Sequence, residues 1–220
     1  PSETPIHQVV LEAGTYEHKS AAIDLSGPLD EQGQFLYRLT GLANDGQDEI
    51  NYVENKRQFI APSLTWQPSD DTRVTVFAQY QKDKGVPEAQ GLPASGTLWA
   101  NPNGKIKRDL FIGEPGVNQY NREQYVLGYE LSHRLNDTWT LKQNARYAEV
   151  DDRYTAPLHG YRFVANPATG VQDQRYLQRF GVDWSQTNKV FGVDSIAQAE
   201  FATGVLDHTL IVGLDYYHSN

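Results

Sequence analysis

The sequence contains no cysteine and no methionine, and its 220 residues include fewer basic side chains than acidic ones, 19 against 28. Without cysteine there are no disulfides, thiolate nucleophiles, thiolate zinc sites or iron–sulfur clusters. The shortage of Lys and Arg argues against a nucleic-acid partner, because neutralising phosphates requires clustered basic residues. Long apolar runs are missing too, since the best candidate, 209–214, is interrupted by Gly213 and a transmembrane helix needs about 18 residues. A helical membrane protein is excluded.

Aromatic side chains are abundant, with 13 Tyr, 8 Phe and 4 Trp, and a disordered chain is poor in such residues. A period of two recurs along the sequence, most clearly at 122–135, where Tyr125, Leu127, Tyr129 and Leu131 alternate with polar residues. Successive side chains of a β-strand point to opposite faces, so each such stretch has one apolar and one polar face. The nine predicted strands are 7–15, 21–29, 34–43, 59–67, 73–82, 122–135, 139–152, 190–202 and 209–218.

The connections between these strands differ in length in a regular way. Short connections rich in turn residues lie at 27–33, 68–72, 136–138 and 203–208. Between them lie a modest loop at 44–53 and two long loops, 85–121 and 153–187. In an up-and-down sheet, all the short turns then lie at one rim and the long loops at the other, which is typical of bacterial outer-membrane barrels.

The two faces of the predicted strands also favour a barrel. Trp66 and Trp139 lie on the apolar face beside short turns, where an amphipathic ring suits a membrane–water boundary. The opposite face carries charges such as Asp24, Arg38 and Lys142, which suit a wet interior better than a dry core. We therefore predict an all-β, antiparallel, up-and-down transmembrane β-barrel, with a soluble β-sandwich adhesin as the alternative.

The sequence shows no motif of an enzyme or a metal site. It has no nucleophile elbow, phosphate-binding glycine loop or paired-His helix motif, and its six His are scattered singly. We expect no catalytic residues, no metal site and no cofactor. The two long loops are rich in aromatic residues with an occasional Arg, which suits a bulky, polar small molecule; alternatively, the rings pack the loops onto one another. These side chains include Trp99, Phe111, Tyr154, His159, Tyr161, Phe163, Tyr176 and Arg179.

Several stretches together resemble TonB-dependent ferric-siderophore receptors, most closely the ferrichrome (hydroxamate) branch. They are YRLTGL at 37–42, IAPSLTWQP at 60–68, GLPASGT at 91–97, NPNGK at 101–105, YVLGY at 125–129, and FATG at 201–204 running on to HTL at 208–210. Each is loose by itself, but they keep the family's order and spacing across nearly the whole chain.

The resemblance implies a barrel of about 22 strands with an N-terminal plug inside it. Residues 1–220 would then be the N-terminal part of the barrel domain, about nine strands without the plug. The chain begins at Pro1 with no initiator Met or signal peptide, so we expect a piece of a longer protein. Nine is an odd number, which places the two termini at opposite rims.

The resemblance also implies a function in the bacterial outer membrane, in contact with its lipid. The long loops 85–121 and 153–187 would help to capture a ferric siderophore of hydroxamate type, and the TonB energy-coupling complex would drive uptake through the plug. An aromatic–Gly–Tyr element of the family corresponds to His159–Gly160–Tyr161, so Tyr161 and His159 are the first ligand-binding candidates, with Trp99 added from composition. Aromatic residues that precede the family's Leu–Pro–x–x–Gly–Thr motif are replaced here by 89–91 (AQG). The alternative function is a passive, porin-type diffusion barrel.

Overall fold

The computed structural model describes residues 1–86 and 91–220, and for 157–161 it describes the backbone alone. The strands within these residues are β1 (Ile6–Ala13), β2 (Lys19–Pro28), β3 (Phe35–Gln47), β4 (Glu54–Ser69), β5 (Thr72–Gly85), β6 (Gln119–Arg134), β7 (Trp139–Val164), β8 (Tyr176–Thr203) and β9 (Leu206–Ser219). No helix in the described part of the chain is long and apolar enough to cross a bilayer.

The nine strands of the described residues form one antiparallel sheet in the order of the sequence. Every strand pairs with its neighbours along the chain, so the topology is an up-and-down meander. β1 and β9 lie at the two edges, and the sheet does not close on itself. The prediction of an incomplete up-and-down barrel wall is confirmed.

The register gives this wall two different faces. One cross-strand row is almost wholly apolar, and we call its side the apolar face: Tyr37, Leu64, Val76, Tyr129, Ala145, Val193 and Tyr216. The neighbouring row points to the other side, the polar face: Thr65, Thr75, Glu130, Asn144, Asp194 and Asp215. Within the polar row, Thr65 Oγ1 lies 2.7 Å from Thr75 Oγ1, and Asn144 donates to Asp194 at 3.1 Å.

No second sheet covers the apolar face in the described part of the chain. Leu127, in the middle of β6, is 62% exposed, and Val76 on the neighbouring strand is 47% exposed. A β-sandwich would bury these side chains between two sheets. The soluble-sandwich alternative is therefore wrong for these residues.

The short turns are built by side chains that cap the backbone. In the β2–β3 turn, the Asp30 carboxylate accepts hydrogen bonds from the N–H groups of Gln34 and Phe35 at 3.1 and 2.7 Å. In the β6–β7 turn, Asn136 Oδ1 accepts from the N–H groups of Thr138 and Trp139, both at 2.9 Å. The Asn136–Thr138 contact is an Asx turn, which mimics a backbone turn, and Asp30 closes the longer β2–β3 turn. The four short turns that the sequence predicts lie at one rim, whereas the short β1–β2 turn, 14–18, lies at the other rim with the long connections.

The best-buried part of the wall lies on the polar face near this rim. The N-terminal residues cross it there: Ser2 N–H donates to Ser26 Oγ at 2.9 Å, and the Ser26 hydroxyl donates to the Tyr37 carbonyl at 2.8 Å. Ser26, Leu36 and Thr65 are all fully buried. Residues 1–5 therefore lie against the polar face of the wall.

Candidate ligand-binding site

β7 and β8 are much longer than their neighbours, with 26 and 28 residues. β6 reaches only as far as Thr155 of β7. Beyond that point the described part of β7 pairs with β8 alone, up to Val164 and Tyr176. We call this projecting hairpin, 156–164 with 176–182, the ribbon. It stands beyond the rim that carries the long connections.

The ribbon corrects the predicted loop 153–187, since only 165–175 lies outside the strands. The prediction was wrong because β7 and β8 continue their backbone pairing after β6 ends, whatever the composition of their side chains. The other long loop is close to its prediction: 85–121 becomes 86–118.

A line of rings follows the ribbon and the strand ends below it. Tyr176, Phe180 and Trp184 are even-numbered residues of β8, as is Asp194, so they continue the polar face upward. Phe180 is 56% exposed. Tyr154 of β7 stacks on Trp184, with ring centroids 5.9 Å apart and planes 16° apart. We call Tyr154, Tyr176, Phe180 and Trp184 the aromatic stripe.

The structure places the sequence-predicted site residues as follows. Trp99 lies in a tight turn of the segment 91–118, where its N–H donates to the Ala94 carbonyl at 2.8 Å, and the residue is 72% exposed. β7 includes 159–161, but the side chains of His159 and Tyr161 lie outside the described residues, as do Ala89 and Gln90. Trp99 is not part of the aromatic stripe.

Sequence reasoning missed Phe180 and Trp184 as site candidates. A signal was present, because Tyr176, Phe180, Val182 and Trp184 keep the period of two through the ribbon. Gln178 interrupts this even-numbered row, and Gly181 on the other side of the strand adds to the composition of a loop.

Below the ribbon, the polar face carries a row of alternating charges. In register across β3 to β7 this row is Asn44, Arg57, Asp83, Arg122 and Asp152. Arg57 Nε donates to Asp83 Oδ1 at 2.5 Å, and Arg122 Nε lies 3.6 Å from Asp152 Oδ1. The charges balance one another, so this wall is hydrophilic without a large field of one sign.

The described residues contain no group of three or more His, Asp or Glu side chains placed to hold a metal ion. The arrangement of exposed rings above a neutralised polar wall is suited to binding a bulky ligand by stacking and hydrogen bonding. The fold defines the class of protein: part of the wall of an up-and-down membrane barrel, with exposed rings at the rim that carries the long connections.

Comparison with known proteins makes the assignment definite. The family described as "TonB dependent receptor-like, beta-barrel" matches residues 62–220, and the chain belongs to this family. Its members are outer-membrane β-barrels and receptors rather than enzymes, which confirms the predicted localisation and the absence of an enzymatic role. A passive porin-type barrel is not favoured.

Among curated relatives, the chain is 34% identical to the "Ferrichrome outer membrane transporter/phage receptor" of Escherichia coli strain K12, over 98% of the chain and 30% of that protein. It is 28% identical to a "Ferrioxamine B receptor" of Salmonella typhimurium, over 95% of the chain and 28% of that protein. The chain thus spans less than a third of the length of these relatives.

Solved structures agree on the fold. The open form of the Escherichia coli ferric-catecholate import receptor Fiu matches with a TM-score of 0.87 and 17% identity, covering 100% of this chain and 35% of that one. The Pseudomonas aeruginosa ferripyoverdine receptor matches with a TM-score of 0.83 and 18% identity, covering 100% of this chain and 28% of that one.

Proposed function

We propose that the protein to which this chain belongs imports ferric siderophores of hydroxamate type across the bacterial outer membrane. The observation that carries the proposal is the aromatic stripe, which holds exposed rings above the polar face of the wall. The names of the two curated relatives, a ferrichrome transporter and a ferrioxamine B receptor, support the ligand class.

The chemistry of such a ligand fits this surface. A wrapped iron chelate is bulky, with an apolar shell interrupted by polar atoms, and rigid rings provide large contact areas at low entropic cost. In this proposal Tyr161 and His159 contribute to capture together with the stripe, and Trp99 contacts ligand from the neighbouring loop. The balanced charges of Arg57, Asp83, Arg122 and Asp152 leave a hydrated path below the rings.

Energy for import comes, in this proposal, from the TonB complex acting through a plug that lies outside residues 1–220. Residues 1–220 form part of the barrel wall and part of the rim that carries the long connections. The polar face is where the plug would dock, since its Glu130 and Arg146 have no ion-pair partner among the described residues.

The apolar face contacts outer-membrane lipid in this proposal. In β7 it extends from Trp139 to Tyr147, about nine residues, which rise roughly 20–25 Å in a tilted strand and match the apolar band of such barrels. Just beyond this membrane-spanning part, Lys82 and Glu123 form an ion pair next to Tyr125. The hydrogen bond from Lys82 lowers the pKa of the Glu123 carboxyl, which keeps the pair charged at the membrane surface.

Binding by the full-length protein in detergent tests the proposal. Iron-loaded ferrichrome and iron-loaded ferrioxamine B are titrated by calorimetry into the parent protein and into Trp184→Ala and Tyr161→Ala. We expect saturable binding of at least one complex and a loss of roughly tenfold in affinity in each variant, as for buried aromatic contacts elsewhere.

The matched control is Trp139→Ala, which removes the same ring at the opposite rim, beside the Asn136 turn. Its affinity should equal that of the parent. The proposal fails if neither ferric complex binds. If Trp184→Ala binds as tightly as Trp139→Ala, the aromatic stripe is not the capture surface.

A further inference from the structure

The loops at the long-connection rim contact one another. We call 48–53, 91–118 and 165–175 the rim loops. Asn51 binds the second of them twice, through its N–H and its Nδ2, which donate to the Asp109 carbonyl at 3.0 and 2.7 Å. The rings of Tyr52 and Phe111 lie beside this contact, 5.8 Å apart, and Val53 is buried. The first rim loop is therefore fixed to the second.

The second and third rim loops are joined by amide and hydroxyl side chains. Ser95 Oγ donates to Gln174 Oε1 at 2.8 Å, and Asn103 Nδ2 donates to the Asp173 carbonyl at 2.6 Å. Gln174 has a φ of +56°, in the left-handed region. A non-glycine residue there costs about 1 kcal/mol or more and persists where its surroundings hold it. The contact with Ser95 supplies such a constraint.

Arg179 makes the most directional contact between the ribbon and the second rim loop. Its Nη1 donates to the carbonyls of Ile112 and Gly113 at 3.2 and 2.9 Å. Its Nη2 donates to Glu114 Oε2 at 3.0 Å. A planar guanidinium can serve three acceptors in fixed directions, whereas the ammonium of a lysine acts as a flexible point charge.

The segment that Arg179 contacts has a defined shape of its own. A Cβ at Gly113 would collide with the Phe111 ring and the Asn118 side chain. Asn118 is buried, and its Oδ1 accepts a hydrogen bond from the Glu114 N–H at 2.8 Å. Arg179 therefore contacts a compact turn. Because this turn keeps its shape, fixing it also fixes the part of the second rim loop that contains it.

Apolar packing alone does not fix the loop against the ribbon. Phe163 and Leu177 of the ribbon and Ile106 of the loop line an open cavity of about 350 Å³ between the two. A gap of this size forfeits much of the dispersion energy that holds a close-packed interface. The position of the second rim loop relative to the ribbon is consequently set by directional polar contacts. Among the residues that make them, Arg179 donates to the most acceptors.

We infer that the three rim loops move as one body with the ribbon, which carries Tyr176 and Phe180 of the aromatic stripe, and that Arg179 is the positioning residue that fixes the second rim loop in this body. Arg179 immediately precedes Phe180 of the stripe in β8. The position of the second rim loop relative to the Phe180 ring is therefore set by two consecutive residues of one strand. The consequence for ligand capture rests on the proposed function. A rim that is already ordered loses less conformational entropy when ligand binds, so it binds more tightly.

Spin labels on the full-length protein test the mechanical part without any ligand. This chain contains no cysteine, and any cysteine elsewhere in the full-length protein is first replaced by serine. Lys107→Cys and Gln172→Cys then place one label on each of two rim loops, at exposed positions. Double electron–electron resonance should give one narrow distance distribution in the parent. In Arg179→Ala and in Arg179→Lys we expect a distribution at least about twice as wide, because neither side chain reproduces the planar fork.

Arg175→Ala is the matched control, since it removes the same charge four residues earlier and its side chain has no hydrogen bond or ion pair within the described residues. Its distribution should stay narrow. A broad distribution in the parent, or a narrow one in Arg179→Ala, would overturn the inference.

Binding of iron-loaded ferrichrome then tests the consequence. We expect affinity roughly tenfold weaker in Arg179→Ala and Arg179→Lys, and unchanged in Arg175→Ala. Wider distances with unchanged affinity would refute a role of Arg179 in capture. If the parent binds no ferric complex while the label distances behave as expected, the proposed function fails and the one-body rim stands.

Discussion

Gly128 lies where the wall has no room for a side chain, and its replacement by alanine is the sharpest test of the strand register. It faces Phe77 across the β5–β6 pair, on the polar face. A Cβ at this position would lie 2.5 Å from Phe77 Cζ and 2.6 Å from the Ala145 carbonyl oxygen. The ring can swing away, but the carbonyl belongs to the paired backbone of β7 and cannot.

The expected cost follows from these two contacts. Overpacking of this kind destabilises by about 1–3 kcal/mol, and the lower entropy of alanine in the unfolded chain offsets about 0.4–1 kcal/mol. We therefore expect Gly128→Ala to lower the free energy of unfolding by roughly 1–2 kcal/mol. Urea unfolding of the full-length protein in lipid bilayers, followed by tryptophan fluorescence, measures this as a shift in midpoint at constant slope.

A neighbouring glycine provides the control. Gly192 faces Arg146 from β8 just as Gly128 faces it from β6, but a Cβ there would find its nearest atoms at 3.9 Å. Gly192→Ala should change stability by less than about 0.5 kcal/mol. In a double-mutant cycle, Phe77→Ala should relieve part of the Gly128→Ala penalty. Equal stability of the two alanine variants would refute the register.

Two further perturbations test other parts of the wall. Asn136→Ala removes the acceptor of two backbone N–H groups in the β6–β7 turn and should lower the free energy of unfolding by about 1 kcal/mol in the same assay. The control Asp137→Ala should cause no measurable change. Equal losses in the two variants would contradict the capping role of Asn136. The pKa of Glu123 is lowered by Lys82, so its contribution to stability is present above the ordinary carboxyl pKa and is lost as the pH falls through the lowered value. Glu123→Gln should therefore lose less stability than the parent below about pH 5, and identical pH profiles would contradict the assignment.

The wall was readable from sequence because each strand there has one apolar and one polar face. Around Leu127 in β6 and Leu141 in β7 the period of two predicts a β-strand with one apolar face. The sequence predicts a loop where the ribbon lies, because successive residues of β8 such as Arg179 and Phe180 are both exposed and no apolar side is required there. Pro157 and Gly160 also suggest a loop by composition, although β7 continues through both.

The contacts of the rim could not be predicted in the same way. Arg179 lies 65 residues from Glu114, and nothing local in either segment indicates that they meet. Their contact depends on how far β7 and β8 project beyond β6, which is a tertiary property. Stacking of Tyr154 on Trp184 is similar, since it requires the register of a hairpin whose turn lies well away from both rings.

The strictly sequential pairing of the strands has a consequence for biogenesis. Because each strand bonds only to those before and after it in the chain, the wall can be laid down one hairpin at a time, without waiting for a distant partner. At every stage the newly added strand exposes unpaired amides and carbonyls on its leading side, and β1 exposes them on its outer side. Shielding these two edges, one fixed and one moving, is then the main requirement on any factor that assists insertion.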